Sequence, residues 1–271
     1  MTIRTISFKD VIEQFDHVDD PDVLEKATSN LALRMALDMS RPENWRGTGL
    51  TPEQLLPIAQ EDAIPVAWVP PPEVLKALVN ASPKDRLAVL RSHETEVLQH
   101  CRRLLTQCRD PWIGDETVLL GRSLAAFEAG YHEAAMALAV ALGEPLAIWA
   151  SEPRVQSFDS EAERATWEAT RDKKRYSLAR LELSAVAPGQ KLKRLEVLRH
   201  ALIAPIPKFF TPYYPGQPVP ETVSRHATVH QPSVAHLSRD NALLAIMLST
   251  SILREQQSWC EEVRADEFAD R

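Results

Sequence analysis

Two proline clusters decide where this chain cannot be helical: AIPVAWVPPPEV at residues 63–74 and APIPKFFTPYYPGQPVP at 204–220. Proline fixes its own φ, lacks the N–H that a helix uses, and pushes the preceding residue out of the α region. Between the two clusters the helix signals are good. Only 8 glycines occur in 271 residues and aromatics make up 6%, which leaves little for hairpin turns or for aromatic and β-branched strands. The expected fold class is therefore all-α, a helical bundle.

Caps and periodicity place the helices. Thr51, Pro52 and Gln54 form a capping-box start with proline in the first turn, and Ser160 with Glu163 repeats the box without the proline. Ser82 and Pro83 are predicted to open one long helix ending near Cys108, with Leu87, Leu90, Val97, Leu104 and Leu105 on its buried face. Along it Cys101 and Cys108 are read as core, and His93 and His100 as surface. GDETVLLGRSLAAFEAGYHEAAMALAVALGEPLAIWA reads as an antiparallel helix pair broken at Gly130. Its first helix buries Leu119, Leu120, Leu124 and Phe127, and its second has enough small residues at 134–141 for another helix to approach closely.

A further helix turns Leu192, Leu195, Leu198 and Leu202 inward and sets Lys191, Lys193, Arg194 and Arg199 largely elsewhere on its circumference. The last, SRDNALLAIMLSTSILREQQSW, starts at Ser238 or Asp240 and is apolar nearly all round from Ala242 to Leu248, as a central core helix is. WVPPPEV is read as a rigid connector, and Trp45, Trp68, Trp112 and Trp149 as packing anchors.

The first residues, MTIRTISFKDVIEQFD, hold no apolar export core and no small-residue cleavage site. The longest apolar run, Ala134 to Leu142, falls short of the roughly 20 residues that cross a bilayer. Cys101, Cys108 and Cys260 form no CxxC pair, which argues against a zinc finger and for a reducing compartment. A cytoplasmic protein with no membrane partner and no cofactor is expected. The net charge of -7 conceals a basic tract: residues 171–210 hold ten Lys and Arg against Asp172, Glu182 and Glu196. That tract is either a solvated helix face or a surface that concentrates a polyanion such as RNA.

One short run carries most of the chemistry. ETVSRHATVHQPS, residues 221–233, brings Arg225, His226 and His230 together behind the second proline cluster. RNA can be cleaved without metal when its 2′-hydroxyl attacks the adjacent phosphate, given a group that moves protons and a group that neutralises the developing charge. Histidine titrates in the right range for the first task, and the forked, permanently charged guanidinium suits the second. Residues five apart on a helix differ by roughly 140°. Arg225 and His230 therefore meet only if they straddle a helix start or if the arginine reaches round. Two other readings use the same residues. His226 and His230, spaced i, i+4, would bind a metal with His236 or a carboxylate as a third ligand, although Ala227 stands where an HExxH glutamate would be. Alternatively, Arg225 and the histidines only cap and hydrogen-bond helix ends beside a proline-rich loop.

SRHATVHQPS followed by NALLAIMLSTSIL, with AAFEAGYHEAAMALAVAL about a hundred residues earlier, resembles HEPN domains, particularly HEPN-like bacterial proteins of abortive-infection and defence systems. The resemblance covers roughly residues 111–260. It implies a helical domain with an RxxxxH motif, a homodimer in which two motifs face one cleft, and a metal-independent endoribonuclease. By position Arg225 corresponds to the phosphate-binding arginine, His226 to its polar neighbour and His230 to the acid/base histidine. Lys191, Lys193, Arg194 and Arg199 are the accompanying candidates for RNA contact. The expected layout is a helical extension of unknown role at 1–110, the HEPN-like domain at 111–260 and an acidic tail at 261–271. RNA, a second copy of the chain and an antitoxin or other protein partner are the expected partners; the alternative is a non-catalytic helical interaction or scaffolding module.

Overall fold

A computed structural model describes residues 41–151, 165, 194–214 and 216–269. The second capping box, at Ser160 and Glu163, lies outside them. Every regular element among the described residues is helical: α1 (Pro52–Glu61), α2 (Pro72–Asn80), α3 (Arg86–Ser92), α4 (Glu94–Gln107), α5 (Gly114–Glu128), α6 (His132–Ser151), α7 (Arg194–Ile203), α8 (Ile206–Phe209), α9 (Arg225–His230) and α10 (Arg239–Ala269). The all-α expectation holds.

α10 is the axis of the bundle. Residues 241–253 are buried without interruption, and the helix packs along α6, α4 and α5. Its start is fixed by Ser238, whose Oγ accepts from Asn241 N–H at 3.3 Å. The small residues of α6 do allow close approach: Ser249 Oγ donates to the Ala139 carbonyl at 3.0 Å, and a Cβ on Gly143 would stand 3.6 Å from Ser249 Oγ. α5 and α6 form the expected pair. Gly130, at φ +86, closes α5 by donating to the Phe127 carbonyl while Tyr131 N–H reaches Ala126, which satisfies the last carbonyls of the helix. α6 continues through Gly143, Glu144 and the exposed Pro145 to Ser151, beyond the apolar run seen in the sequence. It is long and apolar enough to cross a membrane by length and composition, and half of that stretch is buried in the bundle.

The first proline cluster is not a connector. Residues 63–70 are buried as an irregular strap across the bundle, and an irregular buried backbone needs partners for its carbonyls. Four side chains supply them. Asn44 Nδ2 donates to the Val66 and Pro70 carbonyls at 3.0 and 2.9 Å, and Trp45 Nε1 to Val66 at 2.7 Å. His100 Nε2 donates to the Trp68 carbonyl at 2.9 Å and Ser251 Oγ to Ala67 at 2.6 Å. His100 is therefore a core residue and not a surface one. Its Nδ1 accepts from Arg103 at 3.1 Å, and burial, helped by the Arg103 charge, holds its pKa below the ordinary histidine value.

Other expectations are corrected in detail. The predicted long helix from Ser82 is a 3-10 turn at Pro83–Asp85, then α3 and α4, with the break at His93. Leu87, placed on the buried face, is 37% exposed, while Leu90, Val97, Leu104 and Leu105 are core. Trp45 and Trp68 are buried anchors, but Trp112 is 60% exposed, with its ring 6.3 Å from Trp259. Burial pushes the thiols of Cys101 and Cys108 up to about 12. One buried core runs from Trp45 to Leu253, so residues 41–110 pack into the same core as those after 110. α10 continues through residues 261–269, the segment expected as a tail.

Candidate functional site

α9 follows the second proline cluster. Ser224 stops the extended lead: its side chain accepts from Ala227 N–H at 3.2 Å, a standard N-cap bond. Pro232 cannot continue the helix, and α9 ends at His230 after six residues. Arg225 thus occupies the first helical position and His230 the last. The arginine does reach round, with its Nη1 3.4 Å from His230 Nε2. The pair that an ideal helix would separate converges because the side chain at the helix start is free to fold along the turn.

The other edge of the guanidinium faces α6. Arg225 Nε and Nη2 both donate to Glu144 Oε2, at 3.2 and 2.8 Å. Glu144 was missed in the sequence, where it only marks the end of an apolar run. Arg225 also lines a small recess with Ala139, Val140, Gly143, Phe209 and Phe210. The arginine is partly buried and His230 is exposed, so the pair opens to solvent on a fixed apolar floor.

His226 lies beside them, its ring centroid 5.9 Å from that of His230. Burial lowers its pKa below the ordinary histidine value, and the charges of Arg225 and His230 push the same way against Glu144. A histidine so placed is a ready proton acceptor near neutral pH. His236, the third ligand of the metal reading, turns inward: its nitrogens lie 3.1–3.3 Å from Pro220, Ser224 and Thr228.

The basic candidates divide. Lys191 and Lys193 lie outside the described residues. Arg194 opens α7, and Arg199 donates through Nη2 to the Ser151 carbonyl at 3.2 Å, at the C-terminal end of α6 where a cation is favoured. No family model matches the chain, and neither a curated protein nor a solved structure matches it. The class that fold and site define is an all-helical bundle presenting an Arg–His pair beside α6.

Proposed function

We propose that this chain is a HEPN-type, metal-independent endoribonuclease of a toxin or phage-defence system, acting in the cytoplasm as a homodimer. The observation that carries the reading is the approach of Arg225 Nη1 to His230 Nε2 within 3.4 Å at an open surface. In the proposed reaction the 2′-oxygen of RNA forms a bond to the adjacent phosphorus as it loses its proton, and the bond from phosphorus to the 5′-oxygen breaks as that oxygen gains one. His230 handles the protons and Arg225 stabilises the equatorial oxygens. His226 is the polar neighbour that stays predominantly neutral. The products are a 2′,3′-cyclic phosphate and a 5′-hydroxyl.

The purified chain should cleave single-stranded RNA in EDTA, leave 2′,3′-cyclic phosphate ends, and spare a substrate that is 2′-deoxy at the cut. Activity abolished by EDTA would transfer the histidines to a metal site. Absence of cleavage at high protein concentration would favour the alternative, a helical interaction module. That alternative draws on the Arg225–Glu144 pair, which occupies part of the guanidinium before any phosphate arrives.

The homodimer has its own support. Ala134, Ala137, Ala141 and Pro145 form an exposed small-residue face on α6, next to α9 with its 51% exposed Val229. A second copy related by a twofold axis would cover this face and bring two motifs together. Light scattering is expected to return twice the mass of the chain, at protein concentrations of about tens of micromolar. A monomer there removes the two-motif cleft from the proposal.

A further inference from the structure

α9 is too short to hold its own direction. Six residues span about 9 Å, and isolated helices of fewer than about 12 residues are marginal in water. Whatever aims Arg225 and His230 at one another must therefore lie outside the helix. Glu144 holds only the arginine tip. The first turn of α9 is contacted by His236, at the Ser224 carbonyl and at Thr228 Oγ1.

His236 is fully buried, and Ser224, Thr228 and Asn241 around it are buried. Its ring spans three points of the chain: Nδ1 lies 3.3 Å from the Pro220 carbonyl, and Nε2 lies 3.1 Å from both the Ser224 carbonyl and Thr228 Oγ1. The Thr228 hydroxyl donates its one proton to the Ser224 carbonyl at 2.8 Å. Its oxygen is then an acceptor, as is the Ser224 carbonyl, so both contacts of Nε2 call for a proton on that nitrogen. Ring, hydroxyl and cap form one group of contacts around the first turn of α9. The His236 backbone is in turn tied to the central helix, its carbonyl accepting from Asn241 Nδ2 at 2.9 Å.

The bonded residues are placed tellingly in the chain. Ser224 immediately precedes Arg225, and Thr228 lies two residues before His230. A path runs from α10 through Asn241 and His236 to the N-cap and the middle of α9. We propose that His236 is the positioning residue of the Arg225–His230 pair: it splints α9 to the bundle through Ser224 and Thr228 and so fixes the separation of the two side chains. It touches neither the reacting atoms nor solvent. The inference rests on the proposed reading of Arg225 and His230 for its consequence in catalysis, and on geometry alone for the splint.

The test uses the full chain. Thr228→Val removes the hydroxyl with little change of shape, Thr228→Ser keeps it, and His236→Leu removes both ring nitrogens. Near-UV circular dichroism and a cooperative melt first establish that each variant is folded. At fixed pH, Arg225→Ala is expected to move the His230 ring cross-peak in an NMR spectrum of the otherwise wild-type protein. The same change made on Thr228→Val or His236→Leu should move it several-fold less, because the two side chains no longer meet. Thr228→Ser should restore the response. In cleavage, Thr228→Val should lower kcat by about 10²-fold, as displacements near 1 Å do, with KM for RNA nearly unchanged and Thr228→Ser close to wild type. An undiminished His230 response in Thr228→Val and His236→Leu overturns the splint. A wild-type protein that cleaves nothing overturns the ribonuclease reading while the NMR comparison still decides the splint. Should His236→Leu fail to fold, the Thr228 pair decides.

Discussion

Trp68→Ala is expected to destabilise the fold by about 3–5 kcal/mol, the range for deleting a large buried aromatic side chain. Trp68 is 5% exposed, and its loss removes several contacts together. Its indole Nε1 donates to the buried Glu255 carboxylate at 2.9 Å, and the Arg254 guanidinium stands 4.6 Å from its ring centroid. The side chain is therefore a bolt between the strap at 63–70 and α10. Trp68 also adopts φ +66, in the left-handed region that bulky residues rarely enter; the packing just described holds it there. Two companion variants separate these effects. Trp68→Phe keeps a ring and removes the N–H from Glu255, and should cost about 1–3 kcal/mol. Trp68→Gly should lose less than Trp68→Ala, because glycine enters the left-handed region without strain. Urea unfolding followed by fluorescence of the remaining tryptophans and by circular dichroism measures all three. Equal stability of Trp68→Ala and wild type would mean that the strap is not part of the cooperative core.

The same strap shows where sequence reading reached and where it stopped. Local signals were legible: the N-cap at Ser238, the Gly130 break and the apolar circumference of 242–248 each depend on residues a few positions apart, and each stands in the structure. The strap's prolines announced an irregular segment, but its burial depends on Ser251, Glu255 and His100, which lie 32 to 187 residues away along the chain. The break at His93 is similar. Arg91 pairs with Asp240 and Glu94 with Arg239, so two ion pairs on either side of the break bind α3 and α4 to the start of α10. No local breaker marks it. At the candidate site, Arg225, His226 and His230 were visible as a motif and the N-cap at Ser224 could have been read from its spacing. Glu144 and the inward role of His236 could not, since each acts through a partner on another element.

His230→Ala is expected to reduce RNA cleavage by about 10²–10⁴-fold, the range for removing a positioned acid/base group, while leaving the melting temperature and RNA affinity nearly unchanged. The exposed position of His230 supports the second half of that expectation, since no core contact is lost. Arg225→Ala should reduce cleavage by about 10²–10³-fold and also weaken binding, because it removes the charge proposed to meet the phosphate. The informative variant is Arg225→Lys. In the wild type one edge of the guanidinium, Nε and Nη2, rests on Glu144 while Nη1 faces His230. A lysine ammonium is a single compact charge and cannot span both contacts. Arg225→Lys should therefore retain most of the binding and lose most of the turnover, a division between KM and kcat that loss of charge alone would not give. Single-turnover cleavage of an end-labelled RNA in EDTA, beside filter binding on the 2′-deoxy analogue, measures both quantities. Equal degradation by wild type and His230→Ala would assign the activity to a contaminant and end the ribonuclease assignment. Full turnover by Arg225→Lys would retain the enzyme but show that Arg225 acts as a charge, with its orientation by Glu144 of no consequence.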